Sequence, residues 1–133
     1  MKIRIISSRD EIENLNPDEE MVHLRFRPSN VDLICLTQRC PGLRAVRMSL
    51  THLKTLSNAI RAFVDMRGIE LLAGNVRGYR KDQISYLTVD DATEKKILAL
   101  AKKGIAAEEI AGQIREEFRL GSDLIRYVMA KKR

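Results

Sequence analysis

Polar and apolar residues alternate in KIRIIS, and its β-branched isoleucines predict a strand at about residues 2–7. MVHLRFRP alternates too: Val22, Leu24 and Phe26 face one way, His23, Arg25 and Arg27 the other, and Pro28 ends this second strand. LRAVRMS predicts a third strand and IELLAG a fourth. Between strands the period becomes helical. Ser8 and Glu11 stand at capping-box spacing, and Pro17 stops that segment. Ser29 or Asn30 caps a helix through VDLICLTQRC, which Pro41-Gly42 closes. Thr51 opens one helix through HLKTLSNAIRAFVDMRG, with Leu53, Leu56, Ile60, Phe63 and Val64 at helical spacing and Gly68 as its stop.

NVRGYRKDQISYLTVDDAT breaks the pattern, apart from a short extended piece at 84–89. Beyond it the chain reads as three helices. Asp91 or Thr93 caps the first, Ile97, Leu98, Leu100 and Ala101 form its buried stripe, and Gly104 ends it. The second starts near Ala106, with Glu108 and Glu109 at its positive end and Ile110, Ile114 and Phe118 on one side. Gly121 breaks it, and Ser122 caps a third whose buried side is Leu124, Ile125, Val128 and Met129. The expected fold is α/β. A parallel βα-repeat unit of about four strands occupies residues 1–80, a linker 81–91, and a three-helix unit 92–133. Strands joined through helices imply parallel pairing with right-handed crossovers. Leu43, Val46 and Met48 in CPGLRAVRMS resemble the L-x-x-L-x-L strand of leucine-rich repeats, and Met21, Leu24 and Phe26 fit it one unit earlier.

Composition narrows the function classes. The 133 residues suit one compact domain or two very small ones. Hydrophobic residues make up 44% while tryptophan is absent and aromatics reach only 5%, so the core must be aliphatic. The net charge of +6 favours acidic partners. No run approaches the roughly 20 apolar residues of a membrane helix, and the N-terminus turns charged too early for a signal peptide; the expectation is a soluble, cytoplasmic protein. Cys35 and Cys40, with His23 and His52 far away, do not match zinc spacing and read as buried free thiols. Walker A, G-x-G-x-x-G and triad spacings are missing, so no enzyme activity, cofactor or metal is expected.

EKKILALAKKGIAAEEIAGQI resembles the start of bacterial and archaeal helix-turn-helix regulators, in which I-L-x-L-x-x-x-G precedes x-x-E-I-A. REEFRLG, between Ile114 and Ser122, departs from that family's short turn. The resemblance implies a DNA partner and a transcription regulator. Ser122 would cap the recognition helix, and Ser122, Asp123, Arg126, Tyr127 and Lys131 would point outward to read or hold the duplex. Lys95, Lys96, Lys102 and Lys103 form a further patch, and Lys131, Lys132 and Arg133 add attraction without sequence preference. Residues 92–133 hold 10 basic and 6 acidic side chains against 14 and 12 in residues 1–91, so the excess concentrates at the helical end. Glu116, Glu117 and Asp123 oppose phosphate there. A helical protein-binding or dimerising element, including a homodimer, fits the same pattern.

The strands carry a second candidate. In the expected register Arg4, Arg25 and Arg47 stand in a row, with His23 and Arg27 nearby. Guanidinium groups about 5 Å apart repel unless an anion, a nucleic-acid backbone or an acidic partner neutralises them. The alternative function is therefore a non-catalytic protein-interaction adaptor, or an RNA-binding module, acting through this face. The plainer reading has arginine stems covering apolar surface with their heads in water. GNVRGYR, from Gly74 to Arg80, is either a connection or a phosphate-holding loop. Taken together, MKIRIISSRDEIENLNP, VHLRFRPSN and CPGLRAVRM resemble a family of short, uncharacterised proteins from methanogenic archaea. That implies a cytoplasmic archaeal protein and carries no activity with it.

Overall fold

Residues 2–74, 86–89, 91–114 and 122–131 are described in a computed structural model of the chain. Five strands form one sheet: β1 (Lys2–Ile6), β2 (Met21–Leu24), β3 (Ala45–Met48), β4 (Glu70–Ala73) and β5 (Tyr86–Thr88), in the order β4-β3-β2-β1-β5. β1 to β4 run parallel, each beside its sequence neighbour, and β5 lies antiparallel to β1. The short extended piece expected within the 81–91 linker is thus a strand of the main sheet. The helices are α1 (Asn30–Arg39), α2 (Leu50–Lys54), α3 (Asn58–Met66), α4 (Asp91–Lys102), α5 (Ala107–Ile114) and α6 (Ser122–Lys131), and a 3-10 turn spans Arg9–Asn14.

Serine punctuates the first half. The Ser29 hydroxyl accepts from the Asp32 N–H (3.1 Å), and the Asp32 carboxylate accepts from the Ser29 N–H (2.8 Å), a reciprocal cap. In the 3-10 turn the Glu11 carboxylate likewise accepts from the Ser8 N–H at 2.9 Å. The single helix expected after the third strand is two. Ser49, not Thr51, caps α2, and Ser57 caps α3 by accepting from the Ile60 N–H at 3.2 Å. Thr55 closes α2 as its C-cap, its hydroxyl donating to His52 C=O at 2.7 Å, and Ser57 starts α3, each hydroxyl offering the backbone a competing partner. Cys35 is exposed rather than buried, since it lies on the outer side of α1; Cys40 is buried, and both are free thiols.

The chain turns sharply at Gly104, where φ is +82°, a left-handed geometry that costs an L side chain about 1 kcal/mol or more. Gly104 N–H bonds to Ala101 C=O (3.0 Å) and Ile105 N–H to Leu100 C=O (3.3 Å), the paired bonds of a Schellman stop, as expected at this corner. Neither expected cap of the preceding helix acts as one: Asp91 is its first helical residue, and Thr93 is buried within it.

Register decides what each side of the sheet carries. Val22, Val46 and Leu71 form one row with Arg4, and Leu24, Met48 and Ala73 another with Ile6. On this side the core joins Ile6, Val22, Leu24, Val46 and Met48 to Leu33 and Leu36 of α1 and Ile60 and Val64 of α3. The other side presents Ile5, His23, Arg47 and Leu72 in one row. There Ile3, Ile5, Met21, Ala45 and Leu72 share a second core with Ile97 of α4, Ile110 of α5 and Leu124, Ile125 and Val128 of α6. The three C-terminal helices are therefore a layer laid on the sheet. Fully burying an aliphatic side chain contributes about 1.5–3 kcal/mol relative to leaving it exposed, and each of these helices brings at least one. Among the described residues no helix is long and apolar enough to cross a membrane.

A buried cation at the carboxyl ends of the strands

His23 on β2 and Arg47 on β3 are register partners near the carboxyl ends of their strands. Alternation turns both toward the face that α4–α6 cover, where they are 3% and 1% exposed. Arg47 Nη1 lies 3.3 Å from His23 Nδ1. A guanidinium only donates, so Nδ1 is the acceptor and the imidazole carries its proton on Nε2. Burial, with Arg47 and Arg25 adding like charge, lowers the His23 pKa to about 3, so the ring is neutral at physiological pH. Burial also lowers the Arg47 pKa, to about 10, against the attraction of Asp123, and it stays charged.

Gly74, directly after β4, makes room for that charge. A Cβ at this position would lie 2.4 Å from Nε and Nη2 of Arg47, so the guanidinium rests against bare backbone. The next residue back holds the opposing charge: Asp123, in the first turn of α6, accepts from the Ala73 N–H through Oδ2 at 2.8 Å. Its Oδ1 accepts from Arg126 Nη1 at 3.1 Å. Glu70 and Gly74 turn their N–H groups toward β3, bonding Arg44 C=O and Met48 C=O. Ile69 and Ala73 therefore face outward along the sheet edge. Ile69 N–H is taken by Val64 C=O (3.0 Å) and Ala73 N–H by Asp123. Both ends of this edge strand are closed to an added strand. A cleft of about 300 Å³ opens beside it, lined by Leu72, Asp123, Arg126 and Tyr127 among others.

Of the five residues expected on a charged sheet face, the structure gathers three. His23 and Arg47 adjoin, and the half-buried Arg25, just past β2, is close enough to act on His23. Arg4 is not in their row: it pairs with Val22 and turns to the opposite face, its guanidinium 5.4 Å from the Tyr86 ring. A one-residue difference in register moves a side chain to the other side of the sheet. Arg27 is exposed beyond the strand. Arg47 does not stand in water with its stem as cover, because α6 and the end of β4 close over it.

The outward set expected on the last helix is reduced by that packing. Tyr127 is 7% exposed and belongs to the core beneath α6, a correction that follows from the wide buried side of this helix: Leu124, Ile125 and Val128 are buried with it. Ser122 is half-buried, and Met129 is only partly covered. Arg126 is exposed but bridges Glu108 on α5 and Asp123. Lys95, Lys96, Lys102 and Lys103 are exposed on α4 and its end. The side chains of Ile114 and Lys131, and residues Phe118, Gly121, Lys132 and Arg133, lie outside the described residues, as does most of GNVRGYR. Asp123 as a charge acting on Arg47 is not readable from sequence, since the two lie in distant segments of the chain. Gly74 carried a signal, being a glycine directly after a strand. Among the described residues no three His, Cys, Asp or Glu side chains converge as metal ligands.

The model of a family of unknown function, the DUF1699 N-terminal domain, matches residues 2–85. No curated protein and no solved structure matches the chain.

Proposed function

The chain belongs to that family of unknown function, whose description assigns no activity, and we propose from its geometry that it is a non-catalytic binding module taking an anionic group at the carboxyl ends of its parallel strands. One observation carries this reading: the Arg47 guanidinium, 1% exposed, lies against the Gly74 backbone beside a neutral His23. Open α/β sheets bind ligands outside the carboxyl ends of their strands. A desolvated guanidinium matches carboxylate or phosphate by paired, charge-assisted hydrogen bonds. Arg25 supplies a second cation nearer the rim.

The test is a thermal-shift series with inorganic phosphate and simple carboxylates at constant ionic strength. An anion present at 100 times its Kd adds about 2.7 kcal/mol to stability, which raises Tm by several degrees, and Arg25→Gln reduces the rise. Tm values indistinguishable from those in matched chloride end the proposal.

A second reading, duplex DNA binding by a regulator, is favoured by the exposed Lys95, Lys96, Lys102 and Lys103 around the Gly104 corner. It uses that corner instead of the face of α6, where Tyr127 is buried and Arg126 is engaged. Retardation of duplex fragments at low salt that disappears in Lys102→Glu with Lys103→Glu supports it; no retardation on pooled genomic fragments removes it.

A further inference from the structure

Asp123 joins the first turn of α6 to the end of β4. Its carboxylate accepts from the Ala73 N–H, one residue before the Gly74 backbone on which the Arg47 guanidinium rests. It also lines the cleft between β4 and α6, which Arg47 does not reach. Approach from that cleft therefore meets Asp123 before Arg47. The carboxylate is held by two donors, Ala73 N–H and Arg126, and Arg126 is held in turn by Glu108. Arg126 lines the cleft and Ala73 follows its Leu72, so losing the carboxylate frees an edge N–H and one side of a guanidinium, both donors that suit an anion.

We infer that Asp123 is a built-in competitor: a carboxylate or phosphate entering the cleft takes its place on the Ala73 N–H, one residue from the backbone against which Arg47 rests, and the first turn of α6 releases the end of β4. The inference rests on the anion-binding reading above and adds how the site is regulated. Bound anion and docked α6 turn exclude one another, because both use Ala73 N–H and the field of Arg47. Occupancy is thereby reported at the start of a helix whose Leu124, Ile125 and Val128 hold the C-terminal layer on the sheet. Binding at one end of the sheet thus reaches the layer that carries the exposed lysines.

The experiment is an amide NMR titration of the full chain at constant ionic strength, with inorganic phosphate and acetate as separate arms, on wild type, Asp123→Asn and Asp123→Glu. Asp123→Asn keeps the size and removes the competing charge, so it binds about tenfold tighter or more, the effect of one nearby unit charge. Asp123→Glu stays near wild type. In wild type the Ala73 amide and those of the first α6 turn are among the resonances that move. A response to phosphate alone, or to acetate alone, assigns the source of the anion. Equal affinity in wild type and Asp123→Asn overturns the competitor role while leaving the anion site standing. No movement in any of the three proteins overturns the anion site itself. If Asp123→Asn does not fold, the wild-type titration decides: binding that leaves the Ala73 amide unmoved overturns the inference.

Discussion

On one side of the sheet, Val22, Val46 and Met48 meet Leu33, Leu36, Ile60 and Val64, and the contact is aliphatic throughout. On the other side the same strands present His23 and Arg47, and the helices that cover them bring Asp123 as well as Leu124 and Ile125. The first side is closed by the connections that fold with the strands. The second is closed by a layer that arrives from the far end of the chain. A buried guanidinium destabilises unless it is compensated, and hydrophobic residues of similar volume often do as well or better there. Among the described residues the fully buried guanidinium lies under the second layer, whereas the charge in the rows of the first side, Arg4, is only half-buried.

The strongest way to break this comparison is to cut a core contact on each side. Leu36→Ala and Ile125→Ala should each cost about 2–5 kcal/mol, measured by denaturant unfolding. If the two layers share one cooperative unit, both substitutions move a single transition. A transition that splits only in Ile125→Ala would show the C-terminal layer to be separable. Next in size is Gly74→Ala. The new methyl meets the Arg47 guanidinium and should cost about 1–3 kcal/mol as overpacking. Gly42→Ala, where a Cβ meets nothing within 4 Å, should be neutral or slightly stabilising. Equal costs at the two glycines would mean that Arg47 does not rest where the geometry puts it.

The pH dependence sharpens the same contrast. The folded-state pKa of His23 is depressed, from 6.5 to about 3, so the unfolded chain binds the extra proton between these values. Stability is retained above pH 6.5 and falls as pH drops through that window toward 3, with a slope of up to about 1.4 kcal/mol per pH unit from this one group. Arg47 stays protonated throughout, so it adds nothing to the slope. His23→Gln should flatten the profile relative to wild type, read from urea midpoints at several pH values; parallel profiles would sink the assignment. The smallest expected loss is that of Ser29→Ala on the aliphatic side, which removes half of a reciprocal cap and should cost about 1 kcal/mol in the same assay.

Much of the fold was readable along the chain. The four parallel strands, the helix capped at Ser29, the Gly104 corner and the short extended piece before the last three helices all depend on neighbours within a few residues: β-branched alternation, a hydroxyl at an N-cap, a glycine where φ must be positive. The break between α2 and α3 is not legible, because the apolar stripe from Leu53 to Val64 keeps its helical spacing across it. The candidate site was half readable. Alternation marks His23, Arg25 and Arg47 as charges on strands, but it also puts Arg4 in their row, where the register pairs Arg4 with Val22 instead, and helical spacing points Asp123 to solvent, whereas Asp123 accepts from the Ala73 N–H.

What the sequence determined by itself was the local grammar: which segments extend, which coil, where each stops, and that the core would be aliphatic. The tertiary structure alone decided which rows of strand residues align and which surface receives the apolar stripes of α4–α6. The reason is physical. Backbone hydrogen bonds and caps close within a turn, whereas an amphipathic stripe specifies that a side is buried without specifying against what. The meeting of Arg47, Gly74 and Asp123 depends on that second kind of choice.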